Sequence, residues 1–159
     1  MGLLEPDVRH GRGHGETRLI PGGPAITVTS PAQAAAAVSA AAALERPVTL
    51  LSALDAAGYA GPGWFAALVD VARADHPDTE VDSILDCGDA AGYALAALRL
   101  GFKAVRYDGP ATERVAKIAE HYNARIIPDR PVSLDLDEIE TSGGDMKAAC
   151  AHWLQTYPV

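Results

Sequence analysis

The segment Asp86-Cys87-Gly88-Asp89 is the sharpest candidate for chemistry in the chain. A thiol placed between a strand and a helix N-terminus feels the positive end of the helix dipole. That field lowers its pKa and favours the nucleophilic thiolate. The two flanking aspartates oppose the shift, and no histidine stands near in sequence to act as a base. The simpler reading is therefore a small buried cysteine at a strand end. Gly88 and Gly92 would let a phosphate approach the helix N-terminus, but their spacing is not the dinucleotide fingerprint.

The remaining candidates lie at equivalent places. In parallel sheets ligands bind beyond the carboxyl ends of the strands. The polar residues expected there are Ser30, Ser52, Asp55, Asp86, Cys87, Asp89, Tyr107, Asp108, Asp129 and Arg130. Of these, Asp55, Asp86, Cys87, Asp89, Tyr107 and Asp108 form the candidate binding set. Several aspartates at adjacent strand ends suit a divalent cation held through oxygen ligands, or loops that hold a small anionic metabolite. Aspartate before a helix is also a common cap, and for Asp89 and Asp108 capping is the competing expectation. Lys103 lies inside a strand, where a Schiff-base role competes with simply covering a sheet face.

An exact hexapeptide repeat joins two of these places. Asp55-Ala56-Ala57-Gly58-Tyr59-Ala60 recurs as Asp89-Ala90-Ala91-Gly92-Tyr93-Ala94, about one βα unit later. Either each aspartate caps a helix above a packed tyrosine, or two strand ends present matched Asp and Tyr side chains to one crevice. Gly61-Pro62-Gly63 interrupts only the first copy, so the two segments need not share a conformation.

Strands and helices must alternate to position these residues. Apolar, β-branched runs predict strands at 25–29, 48–53, 81–87, 102–107 and 125–128. Ser30-Pro31 predicts the start of a helix that runs to Leu44, with Pro47 stopping it. Phe65, Leu68, Val69 and Ala72 share one face of a helix over 62–74, and Asp89–Leu100 reads as the next. Val115, Ile118, Ala119 and Tyr122 mark a fourth, and a last helix covers 145–156. The alternating stretch 132–136 fits an extra strand or an extended tail. This alternation implies an α/β domain: an open parallel sheet of about five strands flanked by helices, as a flavodoxin-like sandwich or a half-barrel. Residues 1–23, broken by glycine and proline, read as a flexible N-terminal arm, and 24–159 as a single α/β domain.

Composition narrows the partners. A net charge of −8 without a basic face argues against general nucleic-acid binding. Ala32–Leu44 is too short and too alanine-rich to span a bilayer, so no membrane association is expected. The N-terminus has no apolar core of a secretory signal, which points to a cytoplasmic protein with Cys87 and Cys150 reduced. The arginine and alanine bias suits a GC-rich bacterial coding sequence. The helix Pro31–Leu44 carries almost no large side chain, and a small-residue face on it would bury well in a homo-oligomer. No motif specifies a reaction, a substrate or a cofactor. Two functional expectations stand: a domain that binds a small anionic metabolite or a divalent cation at the strand carboxyl ends, or a non-catalytic oligomeric interaction or scaffold domain.

Overall fold

The structure, a computed structural model, describes residues 24–157; the arm expected at 1–23 lies outside them. Six strands form one all-parallel sheet: β1 (Ala25–Thr27), β2 (Val48–Leu51), β3 (Val81–Asp86), β4 (Ala104–Arg106), β5 (Arg125–Ile127) and β6 (Ser133–Asp135). Seven helices accompany them among the described residues: α1 (Pro31–Leu44), α2 (Ala56–Tyr59), α3 (Pro62–Ala74), α4 (Ala91–Arg99), α5 (Thr112–His121), α6 (Leu136–Thr141) and α7 (Met146–Thr156). The stretch left open between strand and tail is therefore a sixth strand. Helices α2 and α6 were not anticipated, and each is too short to display a periodic apolar face.

Strand order is β5-β4-β3-β2-β1-β6. From β1 to β5 each strand adds on the same side of the last. Right-handed crossovers then place every connecting helix on one face of the sheet. The helices neighbour one another in the matching order α7, α1, α3, α4, α5. A doubly wound sandwich would divide them between two faces, so the architecture is the part-barrel of the two expected forms.

Parallel register sorts the side chains. Ile26, Val48, Leu50, Val81, Leu85 and Val105 face the helices and join the main core. Ala25, Leu51, Ile84, Ala104 and Ile127 point the other way and pack as a second buried cluster. Among the described residues the crossover helices lie on the other face, so curling of the sheet around this cluster accounts for its burial. The chain linking β5 to β6 reaches across the same region, because Arg130 in it bonds to residues of β1, β3 and the end of β2. A tightly curled sheet needs close helix approach, and the alanine-rich α1 provides it.

Helix α1 starts where expected. The Ser30 hydroxyl accepts from the Gln33 N–H at 3.2 Å, and Pro31 occupies the first turn. Its buried Ala34, Ala37, Ala40 and Ala41 pack within the chain, against the sheet and between α7 and α3. Those inner alanines are thus covered by this chain's own helices, whereas Ala32, Ala35 and Ala43 on the outer side of α1 remain exposed. Among the described residues no helix is long and apolar enough to cross a membrane.

Candidate functional site

Alternation along β3 puts Asp82, Ile84 and Asp86 on the inner face, and register sets Asp86 beside Arg106 of β4. Asp86 is fully buried, at 0% exposure. Such a carboxylate is tolerated when it is ion-paired and hydrogen-bonded. Its Oδ1 accepts from the backbone N–H of Gly88 at 3.0 Å, from that of Asp55 at 3.1 Å, and from Arg106 Nη1 at 3.2 Å. Its Oδ2 accepts from Arg130 Nη1 at 2.7 Å. The Asp86 backbone N–H donates to Ser52 Oγ at 2.8 Å, locking the ends of β2 and β3 together.

The two guanidinium groups extend this network. Arg130 Nη2 donates to the Ser52 carbonyl at 2.8 Å and to Thr27 Oγ1 at 3.2 Å. It therefore ties the β5–β6 link to the carboxyl ends of β1, β2 and β3. Arg106 Nη2 meets the exposed Asp108 at 2.8 Å. Arg106 Nε is buried and has no partner among the described residues.

Two glycines make the loops fit. Gly88 sits at φ +56°, where only glycine is unstrained, and a Cβ there would stand 2.0 Å from Asp55 Oδ1. A Cβ on Gly109 would lie 2.3 Å from the Tyr107 hydroxyl and 2.6 Å from the Asp89 carbonyl. The loops after β2, β3 and β4 are thus packed against one another.

The structure divides the sequence-derived candidates into two groups. Asp86 lies at the centre, Asp108 joins it through Arg106, and Asp55 joins it through its backbone N–H. Cys87 and Tyr107 fall on the opposite side of the sheet, buried in the helix-facing core. Burial, and then the Asp86 carboxylate, push the Cys87 thiol from 9.0 up to about 12. It is a packed thiol, not an activated nucleophile. The Tyr107 hydroxyl accepts from the Ala111 N–H at 3.3 Å and steadies the turn into α5. Asp89 is exposed in the loop before α4.

Capping does not explain the aspartates. The residues at the N-cap positions of α4 and α5 are Ala90 and Ala111, and Asp55, which precedes α2, makes no side-chain cap bond. Asp89 and Asp108 each lie before those cap positions. The predicted helix from Asp89 accordingly begins at Ala91. The two repeat copies differ, the first forming a four-residue helix and the second leading through a turn into nine helical residues. Neither tyrosine is packed beneath a helix, for both Tyr59 and Tyr93 are exposed.

Arg106 escaped the sequence reading, whereas Arg130 was noticed only as a polar strand end. The available signal was alternation: a residue two places beyond Ala104 must share its inner face. Among the described residues no group of three or more His, Cys, Asp or Glu side chains is disposed to hold a metal ion. Two clefts of the described surface lie away from Asp86. One of about 330 Å³, lined by Asp70, Arg73, Asp82, Phe102 and Lys103, opens near the amino ends of β3 and β4. Another of about 350 Å³ lies over the first turns of α5.

No protein-family model matches the sequence, and no curated protein matches it either. Among solved structures, the chain is similar to one described as a "putative fructose-1,6-biphosphate aldolase" from Coccidioides immitis. The identity is 20%, the TM-score 0.49 and the coverage 92% of this chain. The chain spans 56% of that protein's length.

Proposed function

We propose that the chain is a non-catalytic interaction domain. The observation that supports this reading is that both oxygens of Asp86 are engaged within the protein. It stands where parallel part-barrels offer ligands their polar groups, yet its partners are the protein's own donors. The β5–β6 link lies across the same end, held by Arg130. The thiol beside it is held protonated by burial. The two clefts described above lie away from this carboxylate and thiol.

One observation favours a second reading, a site for a small anion. Arg106 Nε is buried without a partner, and a carboxylate or phosphate could bond to it if Asp108 swung away. A divalent cation gains no such support, since the central carboxylate already faces two guanidinium groups.

A thermal-shift screen separates the two. Magnesium, zinc, inorganic phosphate and sugar phosphates are added singly to the wild type and to Arg130→Met. A ligand that binds only the native state must raise its melting temperature. The interaction-domain reading predicts shifts within about 1 °C for all of them. A larger shift that disappears in Arg130→Met would replace it with the anion-site reading.

A further inference from the structure

The repeat loops carry a feature that the closed mouth does not use. Tyr59 is 70% exposed, Tyr93 41% and Leu54 56%. The two copies adjoin, because a Cβ on Gly58 would touch Tyr93 Cε2 at 4.0 Å, and the Asp55 side chain lies against Gly88. Trp64, also exposed, follows on the first turn of α3. Large aromatic side chains left in water at adjacent loops mark a surface that a partner covers.

Charge states what kind of partner. Asp55 and Asp89 are exposed within the same two loops. No Lys, Arg or His occurs from Pro47 to Ala72, or from Pro77 to Leu98. These two stretches therefore bring aromatic and acidic side chains to the surface and no basic ones, the nearby Arg106 and Arg130 being ion-paired to Asp86. A second copy docking on it through a two-fold axis would set carboxylate against carboxylate, which opposes that occupant. A guanidinium group satisfies both features, since it stacks on tyrosine faces and forks onto carboxylates.

We infer that the paired DAAGYA loops are a docking surface for an arginine-bearing segment of another protein. This rests on the interaction-domain reading and names the partner's chemistry. Each copy offers one exposed tyrosine and one exposed aspartate, though on different local backbones, so two arginines of an extended segment each find an aromatic and an acidic group. The exact repeat then has a reason: it duplicates one recognition unit on neighbouring strand ends.

Fluorescence anisotropy with a fluorescein-labelled hexa-arginine peptide tests it, at about 0.15 M ionic strength, where remote charges are screened. Tyr59→Ser with Tyr93→Ser keeps the net charge and alters only exposed side chains. Binding should weaken at least about tenfold in that double variant. Asp89→Asn should weaken it as well, and a hexa-lysine peptide should bind less tightly than hexa-arginine. Wild-type protein that fails to bind, or a tyrosine variant that binds as well as wild type, overturns the inference. If a small ligand is found at Arg130 while peptide binding keeps its tyrosine dependence, the non-catalytic reading falls and the docking surface stands. A silent ligand screen with tyrosine-independent binding ends the docking surface alone.

Discussion

Asp86 receives its donors from four separate stretches of chain: the loop after β2, the loop after β3, strand β4 and the β5–β6 link. A buried carboxylate so bonded ties loops together far more than it offers chemistry to solvent. The neighbouring thiol follows the same logic. Burial first, and the Asp86 charge second, raise Cys87 to about 12, and burial alone does the same for Cys150. We therefore expect neither thiol to react with a disulfide reagent near neutral pH until the protein unfolds. A raised thiol pKa also fixes a sign: the unfolded chain ionises first, so this stability is full below about pH 9 and declines as pH rises toward 12. Rapid native-state labelling near pH 7 would contradict this. At this scale the sequence was partly legible. Asp55, Asp86 and Asp108 could be found because strand carboxyl ends follow from the alternation of elements. Arg106 and Arg130 could not be assigned, since they lie 20 and 44 residues from Asp86 and meet it only through strand register and loop path.

Elements were more legible than contacts. The five expected strands all occur, each ending within its anticipated stretch, because β-branched runs bounded by Gly and Pro leave little choice. Strand β6 gains its place from outside its own sequence, by pairing with β1 and through a 2.7 Å bond between the Thr27 and Ser133 hydroxyls. Helix α6 is likewise anchored by distant groups. Thr29 and Gln33 donate to Asp137 at 2.6 and 2.7 Å and hold its carboxyl below the usual range. Helix α1 was recognised: its inner alanines serve close packing beneath α7 and α3, while its outer Ala32, Ala35 and Ala43 stay exposed. Ala37→Leu should accordingly destabilise by about 1–3 kcal/mol through overpacking of a filled site. Its thermal melt would move down. An unchanged or raised melting temperature would mean that α1 has room to spare, as a helix awaiting a partner would.

Across the described residues, one parallel sheet carries a buried cluster on the face away from its crossover helices and an ion-paired network at its carboxyl end. Closure depends on one side chain more than any other, because Arg130 joins the β5–β6 link to three strands at once. If this network is structural, removing Arg130 leaves Asp86 buried with half its neutralising charge gone. Breaking one partner of a buried ion pair typically costs about 3–5 kcal/mol. Residues kept for a ligand behave differently, since groups held in place for function are often neutral or stabilising to remove. Equilibrium urea unfolding of wild type and Arg130→Met distinguishes the cases directly. The closed part-barrel predicts a transition shifted to markedly lower urea, by about 3 kcal/mol or more at unchanged slope. A variant as stable as wild type, or more stable, would contradict it and return the mouth to the role of a binding site.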